Sequence, residues 1–354
     1  MMPAGTGAPG SSLSSSFPPS ELPRLSVRLH GLDPKSCVAL ARVAEAHGYR
    51  SVWFAENPCD RGVFPVASAC VAATSRIRIG VGIVNPYTRH PTVIAMEFGA
   101  LDELAEGRAL LGIGSGIGAQ IERLGFRYRP LAAMEDAIHI VRALLRGEQV
   151  RYRGPVFSAD SVALRFKPPR PLMPIYMAAM GERSLALCGR IADGLIVSNM
   201  CPAAYTEYAV GIVAASAEQS GRPRPEVVQY VPCVVRPDRA EARRSAKAAI
   251  GAMLTTFWPI GDDWPPLRDT IVRHSGLAKP EVIAALDRLR KGEPATAVLD
   301  DRFIDAFAIA GTAEDCLGTA ARYRRAGVDE LVLTFAGSQP ATDMAYLGAA
   351  LGNG

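Results

Sequence analysis

The sequence predicts an α/β fold, a TIM (β/α)8 barrel with insertions, and three observations lead to this prediction. Eight short apolar segments alternate along the chain with helical segments, which is the pattern of a closed parallel sheet. The segment 51–55 (SVWFA) has nothing polar in its interior, as expected for a strand that helices cover on both faces. Polar residues follow the apolar segments, where barrel enzymes carry their chemistry.

Glycine, proline and capping residues delimit the predicted elements in order along the chain. The first helix begins at Asp33 and Pro34 and is closed by Gly48. The predicted strands are 25–30, 51–55, 78–84, 108–113, 174–177, 193–197, 227–235 and 330–333. The predicted helices are 33–48, 64–74, 92–104, 131–145, 184–191, 202–219, 240–254, 313–326 and 341–351.

Two stretches interrupt this alternation. Residues 149–157, with Tyr152 and Gly154, predict an inserted hairpin. A second insertion covers about 255–300, and it is irregular over 255–297, where it contains Trp258 and Trp264. Because this segment is too long for an ordinary connection, it predicts a lid or a binding insertion.

The composition is that of an ordinary globular protein, and it excludes several classes of partner. With 354 residues and 49% hydrophobic residues, the chain can form one large barrel domain, predicted at 23–354. The net charge of +4 comes from Lys and Arg that are spread along the chain, so no nucleic-acid partner is predicted. No stretch reaches the 18 apolar residues that a membrane span needs. The expected partner is a small-molecule substrate.

The N-terminal residues and the cysteines indicate the cellular compartment. Residues 1–22 are rich in Gly, Ser and Pro, and they predict a disordered tail rather than a signal peptide because the first 20 contain no basic residue and no apolar run. The seven cysteines are odd in number and none are spaced as CxxC, so neither a disulfide framework nor a metal site is predicted. Buried thiols are typical of a reducing compartment, which predicts a cytoplasmic protein.

The stretch 78–91, RIGVGIVNPYTRHP, is the centre of the predicted site. Gly80 and Gly82 alternate with β-branched residues, which predicts a buried strand that another group approaches closely. Asn85 and Pro86 end the strand, and a polar loop follows. We interpret this stretch as one wall of a binding site. The alternative is that the two glycines only relieve crowding inside the barrel.

Position alone gives a list of candidate site residues. In a TIM barrel, the loops after the strands meet at one face of the molecule. The residues at these predicted strand ends are His30, Glu56, Asn57, Asn85, Tyr87, Ser115, Ala178, Ala179, Ser198 and Asn199.

The glycine-rich run 112–119, GIGSGIGA, favours the binding of an anion by backbone N–H groups. It contains the GxGxxA pattern of dinucleotide-binding folds. A Rossmann fold requires that pattern after the first strand, however, and here it follows the fourth. We therefore expect Gly114, Ser115 and Gly116 to form a ligand-binding loop on a barrel.

Residues 82–91, GIVNPYTRHP, resemble the third-strand signature of the luciferase-like monooxygenase superfamily. The resemblance is specifically to its coenzyme F-420-dependent branch, which includes methylenetetrahydromethanopterin reductase. The turn at 174–181 (PIYMAAMG) resembles the turn after the fifth strand of that family, and the segment 51–58 resembles the end of its second strand. This likeness covers roughly residues 24–250 and 303–338.

The resemblance implies a TIM barrel with a cofactor at its mouth. In the family, the third strand holds a non-prolyl cis peptide, here Gly82-Ile83, that presses a bulge against the middle ring of the cofactor. The glycine-rich loop contacts the cofactor, and the turn after the fifth strand receives its phosphate. The cofactor-binding residues implied are Gly82, Ile83, Asn85, Tyr87, Gly114, Ser115, Gly116, Ala178, Ala179, Met180, Gly181 and Arg183.

Proton handling is where the sequence departs from this family. Many relatives have a histidine where Asn57 stands, and the methanogen reductase has a carboxylate where this chain has Arg28. An amide cannot act as a base at neutral pH. Glu56 and His30 are the nearest substitutes, so the catalytic candidates are Glu56, Asn57 and His30. The alternative roles are an ion pair with a barrel arginine for Glu56 and a structural hydrogen bond for His30.

The resemblance implies an F-420- or flavin-dependent oxidoreductase that needs no metal. The expected activity is hydride transfer between coenzyme F-420 and a small organic substrate, and the expected assembly is a homodimer. Two alternatives stay open, an FMN-dependent two-component monooxygenase and a flavin-binding barrel without catalytic activity. Both would use the same end of the barrel. Nothing in the sequence selects a substrate.

Overall fold

A computed structural model describes residues 18–57, 60–258 and 266–351, and it confirms the predicted barrel. Eight parallel strands pair in sequence order, and the last pairs with the first to close the sheet. The strands of the barrel are β1 (Arg24–Arg28), β2 (Ser51–Phe54), β3 (Arg78–Val84), β4 (Ala109–Ile113), β7 (Ile175–Ala178), β8 (Gly194–Val197), β9 (Glu226–Val235) and β11 (Glu330–Phe335).

Helices surround the barrel, and local signals in the sequence set several of their ends. Asp33 caps the first helix through its carboxylate and Pro34 takes the first helical position, as predicted. Thr312 and Asp315 form a capping box. The helices of the barrel layer are α1 (Pro34–Ala46), α2 (Val63–Ala73), α3 (Pro91–Leu104), α5 (Pro130–Leu145), α6 (Glu182–Ile191), α7 (Ala203–Gln219), α8 (Arg239–Phe257), α13 (Ala313–Arg325) and α14 (Pro340–Leu351).

The interior of the barrel is filled by a small cluster around Trp53. The indole N–H of Trp53 donates to the buried carboxylate of Glu330 at 2.8 Å, and the hydroxyls of Ser26 and Ser51 donate to the same oxygen at 2.8 and 2.5 Å. These three donors come from β1 and β2, whereas Glu330 begins β11. The network therefore ties the first two strands to the last one.

The glycines of β3 make room for this cluster. A Cβ atom at Gly80 would lie 2.3 Å from the indole of Trp53, and one at Gly82 would lie 2.5 Å from the hydroxyl of Tyr230. These two glycines therefore relieve crowding inside the barrel, the alternative considered from the sequence, against Trp53 of the neighbouring β2 and Tyr230 of β9 across the barrel.

The segment 255–297 was predicted to be irregular, and for its described part this prediction is wrong. The helix α8 continues to Phe257, and three further helices lie within the segment, α9 (Pro266–Arg273), α10 (Lys279–Arg290) and α11 (Ala295–Val298). Glu281 accepts from the N–H of Ala278 and helps to start α10, whose buried residues recur at helical spacing. Trp264 lies outside the described residues.

Smaller elements also differ from the prediction. The hairpin predicted at 149–157 extends to residue 162, as β5 (Val150–Arg153) and β6 (Ser158–Val162). A short helix α4 (Gly118–Arg123), a helix α12 (Asp301–Phe307) and a strand β10 (Ile309–Gly311) that pairs with β9 were not predicted. At the predicted tail, Pro19–Glu21 form a 3-10 turn, and residues 1–17 lie outside the described part.

Membrane-spanning helices and metal-binding clusters are two features that the sequence did not predict. Among the described residues, no helix is long and apolar enough to cross a membrane. Within the same ranges, no cluster of three or more His, Cys, Asp or Glu side chains is arranged to hold a metal ion. The six described cysteines are buried free thiols.

Candidate active site

A cavity of about 530 Å³ opens at the carboxyl ends of the barrel strands. Its walls come from the loops that follow the strands and from α8 and α9, which lie over one side. The lining includes all but two of the residues proposed from the sequence. Those that line it are His30, Glu56, Asn57, Gly82, Ile83, Asn85, Gly114, Ser115, Gly116, Ala178, Ala179, Met180, Gly181, Ser198 and Asn199.

Tyr87 and Arg183 do not line the cavity, so their assignment to it is corrected. Tyr87 is buried among Phe126, Tyr128 and Phe157, with ring centroids 5.7 to 6.1 Å away, and its hydroxyl accepts from the N–H of Arg129 at 2.7 Å. It therefore fixes the hairpin and the start of α5 behind the site. Arg183 is exposed in the first turn of α6 and points its charge to solvent.

One wall of the cavity is formed by the end of β3. The peptide bond between Gly82 and Ile83 is cis, as the resemblance implies, and the register between β3 and β4 shifts at this point. The carbonyl of Gly82 accepts a hydrogen bond from the hydroxyl of Tyr230 at 2.7 Å, and the carbonyl of Ile83 accepts from the N–H of Glu56 at 2.9 Å. The wall is thus held by the segment after β2 and, across the barrel, by β9.

The glycine-rich loop after β4 packs tightly against this wall. A Cβ at Gly114 would lie 3.0 Å from Ile83 and 3.1 Å from Ala178, so there is little room for a side chain at this position. At Gly116, where φ is +71°, a Cβ would lie 2.3 Å from the side-chain amide of Asn85. Ser115 shares a hydrogen bond of 3.0 Å with the hydroxyl of Tyr128, which holds its side chain at the rim.

The turn after β7 leads into the N-terminus of α6, and it forms the second end of the cavity. Gly181 precedes the helix, and no side chain of the described residues caps the N–H groups of its first turn. Ala178, Ala179 and Met180 are small or flexible and leave this N-terminus open to the cavity. Ser184 adds a hydroxyl to the lining. Free N–H groups at a helix N-terminus attract an anion, especially a phosphate.

Glu56 forms the ion pair that was considered as its structural alternative. Its carboxylate accepts from Arg89 at 2.7 Å and from the N–H of Asn85 at 3.2 Å. Arg89 is also paired with Glu97 at 2.5 Å. Burial lowers the pKa of Arg89, whereas the carboxylates of Glu56 and Glu97 raise it. The net shift of this pKa is upward. Arg89 is therefore a permanent cation that holds Glu56 against the loop.

His30 and Asn57 lie side by side at the rim, with the imidazole Nδ1 3.5 Å from the amide nitrogen of Asn57. Partial desolvation and the positive charge of Arg28 lower the pKa of His30 below its ordinary value of 6.5, and Asp60 offsets only part of this effect. The imidazole is therefore neutral at pH 7 and can accept a proton.

Arg28 was noted in the sequence only as a departure from the family, and the structure places it in the cavity lining. Its guanidinium lies over the ring of Tyr230, 5.5 Å from the centroid, and its Nε is buried without a hydrogen-bond partner among the described residues. Burial lowers the pKa of Arg28. Thr334 was missed because the predicted last strand stopped at residue 333. Thr334 lines the cavity, and its hydroxyl is likewise buried with no partner in the described chain.

Another part of the lining comes from the segment 255–297, predicted as a lid or a binding insertion, and from the end of α8 just before it. Met253, Trp258, Leu267 and Arg268 face the cavity from α8 and α9. The guanidinium of Arg268 lies 5.0 Å from the ring centroid of Trp258. Of these four residues, sequence reasoning had singled out only Trp258.

Comparison with known proteins identifies the family. The profile of the luciferase-like monooxygenase family matches residues 16–330 of the chain. The chain belongs to this family. It is 30% identical over 298 residues to 5,10-methylenetetrahydromethanopterin reductase of Methanolobus tindarius, which covers 82% of this chain and 87% of that protein.

Two further proteins extend the comparison. An F-420-dependent glucose-6-phosphate dehydrogenase of Nakamurella multipartita is 31% identical over 203 residues, or 53% of this chain and 60% of that protein. The structure of the coenzyme F-420-dependent tetrahydromethanopterin reductase of Methanopyrus kandleri superposes with a TM-score of 0.83 at 23% identity, covering 92% of this chain and 97% of that one. At this identity, the superposition shows the same fold.

Proposed function

We propose that this member of the luciferase-like family is an oxidoreductase that transfers a hydride between coenzyme F-420 and a small organic substrate. The observation that carries the proposal is the shape of the cavity. A flat apolar wall at Ile83, Ala178 and Ile196 continues into the open N-terminus of α6. This arrangement suits a planar ring system that is linked to a phosphate.

The residues present fit such a cofactor. The tight packing of Gly114 against Ile83 and Ala178 leaves a surface on which a ring can lie flat. The first turn of α6 has no cap from a described side chain, so its N–H groups are free for phosphate oxygens. A planar flavin would satisfy the same geometry. Support for the deazaflavin comes from the relatives, because the dehydrogenase of Nakamurella multipartita and the superposed reductase of Methanopyrus kandleri are both named for coenzyme F-420.

The chain itself contributes binding, orientation and proton handling. When bound, the deazaflavin supplies or accepts the hydride, and the protein sets its position relative to the substrate. Ile83 would support the ring from one side, and the turn at 178–181 with Ser184 would hold the phosphate. Trp258 and Leu267 cover the other side and exclude water.

We assign the proton-handling position to His30 rather than to Glu56. The neutral imidazole can accept a proton at its unprotonated nitrogen, and the amide nitrogen of Asn57 lies 3.5 Å from Nδ1 and orients the ring. Glu56 is engaged by Arg89 and by the N–H of Asn85, so we assign it the role of positioning the loop after β3.

Direct titration tests this proposal. Oxidised coenzyme F-420 and FMN are each added to the purified protein, and their fluorescence is followed to saturation. We expect the deazaflavin to bind at micromolar concentration or below and FMN to bind much more weakly. Tight binding of FMN alone would move the protein to the flavin-dependent monooxygenases, and binding of neither would overturn the proposed site.

A matched pair of variants locates the phosphate end. Ala179→Asp places a carboxylate in the turn before α6 and should weaken binding of coenzyme F-420 at least tenfold by repulsion of its phosphate. Arg183→Gln, in the first turn of α6 but exposed and outside the cavity, should leave the affinity unchanged. Equal effects of the two variants would contradict the placement of the phosphate.

The assembly and compartment belong to the same proposal. We expect a homodimer on the basis of the family resemblance. We expect a cytoplasmic location because the six described cysteines are free thiols, which persist in a reducing compartment. Light scattering of the purified protein, with a mass near twice 37.7 kDa as the expected result, tests the assembly.

A further inference from the structure

The cavity has two chemically different sides. The side formed by β3, β4 and β7 carries the flat wall, the glycine-rich loop and the open N-terminus of α6, which the proposed cofactor occupies. The opposite side is formed by β1, β9 and β11 together with α8 and α9, and none of the residues proposed to support the ring or to bind the phosphate lies there. Its polar lining includes Arg28, Thr334 and Arg268.

Arg28 and Thr334 are neighbours on this second side. In the parallel pairing of β1 with β11, Val27 lies opposite Leu333, so the next residue on each strand reaches the mouth of the barrel at the same height. Both side chains border the cavity. Within the described ranges, Arg28 Nε and Thr334 Oγ1 are each buried and lack any hydrogen-bond partner. Two neighbouring residues that border one cavity therefore each carry a buried polar atom without a partner in the described chain.

The charge of Arg28 is not balanced by any carboxylate of the described chain, since none lies within the 4.0 Å ion-pair limit of its guanidinium. The buried carboxylate of Glu330 is engaged by Ser26, Ser51 and Trp53, and that of Glu56 by Arg89. Tyr230 gives the guanidinium a ring face to lie on but does not neutralise it. Buried cations are normally paired, so an unpaired one beside a cavity indicates a ligand with the opposite charge.

We propose that Arg28, with the hydroxyl of Thr334, binds an oxyanion of the substrate, either a carboxylate or a phosphate. A guanidinium presents two parallel N–H groups to such an anion, and the hydroxyl adds a third donor. Arg268, on α9, brings a second positive charge to the same side of the cavity. The identity of the ligand as the substrate rests on the proposed function, whereas the presence of an anion site does not.

The test uses the protein saturated with coenzyme F-420, so that the N-terminus of α6 is already occupied. Inorganic phosphate and acetate are the probes, and their binding is measured by isothermal titration calorimetry and by thermal stabilisation. We expect at least one of them to bind to the wild-type protein. Arg28→Met should weaken that binding at least tenfold, and Arg28→Lys should retain part of it. Which probe binds more tightly distinguishes a phosphate site from a carboxylate site.

Two controls separate the possible outcomes. Arg190→Met removes an exposed arginine from the last turn of α6 and should leave anion binding unchanged. Thr334→Val removes only the second donor and should weaken anion binding several-fold, which keeps the test valid if Arg28→Met fails to fold. Anion binding that is equal in the wild-type protein, Arg28→Met and Thr334→Val would overturn the proposal, as would no binding of either anion to the wild-type protein.

The cofactor affinity of Arg28→Met distinguishes the anion site from the proposed function. Unchanged affinity for coenzyme F-420 together with lost anion binding supports both the anion site and the proposed function. Loss of coenzyme affinity with intact anion binding would mean that Arg28 binds the cofactor. The proposed anion site would then be refuted, while the proposed function would stand. If the wild-type protein binds no coenzyme F-420, the titrations are made on the protein alone. An Arg28-dependent anion site would then stand while the proposed function fails.

Discussion

Replacement of Gly80 by alanine should strongly destabilise the barrel, because the added methyl group would overlap the indole of Trp53. The Cβ atom would lie 2.3 Å from the ring, whereas carbon atoms in contact are separated by at least about 3.5 Å. The ring would have to move by more than about 1 Å, and the surrounding cluster is fully buried. Overpacking of this kind costs about 1–3 kcal/mol.

The same movement would break a second interaction. The indole N–H donates to the carboxylate of Glu330 at 2.8 Å, and a hydrogen bond to a charged acceptor contributes about 1.5–3 kcal/mol. We therefore expect Gly80→Ala to lower the free energy of unfolding by about 2.5–6 kcal/mol, the sum of the two effects. Urea denaturation followed by tryptophan fluorescence and by far-UV circular dichroism measures this change.

A second glycine-to-alanine substitution serves as a control, and it should change the free energy of unfolding in the opposite direction. Gly211 is exposed within α7, and a Cβ there would meet nothing within 4 Å. Gly211→Ala should raise the stability by about 0.5–1 kcal/mol through helix propensity alone. If Gly80→Ala proves as stable as the wild-type protein while Gly211→Ala behaves as expected, the indole of Trp53 does not pack against β3 as tightly as we infer.

Three further outcomes are expected at the site. Gly116→Ala should weaken binding of coenzyme F-420 at least tenfold, measured by fluorescence titration, because its Cβ would lie 2.3 Å from the amide of Asn85 at a φ of +71°. Tyr87→Phe should cost about 1 kcal/mol of stability in urea and leave coenzyme affinity unchanged, and a large loss of affinity would restore Tyr87 to the site. The pKa of His30, followed by NMR, should lie below 6.5 and rise in Arg28→Met. Since the unfolded chain takes up this proton first, His30 should reduce stability as the pH falls below about 6.5, and a His30→Gln variant should lack that part of the loss.

The barrel was predictable because its signals are local and repeated. Each strand is a short apolar run bounded by turn residues, and eight of them alternating with helices leave few other folds. The segment after α8 was misread because Trp and Pro residues near its start suggested irregular structure. Yet the buried residues Val282, Ala285 and Leu286 of α10 recur at the spacing of a helix, so the signal was present in the sequence.

The sequence predicted which chain positions lie near the site, but it did not predict the directions of their side chains. Residues after strands do line the cavity, since barrel geometry brings them there. Tyr87 is an exception because the side chain of Asn85 accepts its N–H at 2.8 Å, and the resulting turn directs the ring away from the cavity. The orphaned groups at Arg28 and Thr334 depend on which partners are missing in three dimensions, and no local pattern carries that information.

The hydrogen bonds that join Ser26, Ser51 and Trp53 to Glu330 have a consequence for the order of assembly. The donors and the acceptor are separated by 277 to 304 residues along the chain. As a nascent chain emerges, the first two strands exist long before the carboxylate that satisfies them, so closure is among the latest and least local events of folding. The last strand therefore completes the buried network of the barrel, and a chain cut before residue 330 would leave Ser26, Ser51 and Trp53 without the carboxylate that accepts their hydrogen bonds.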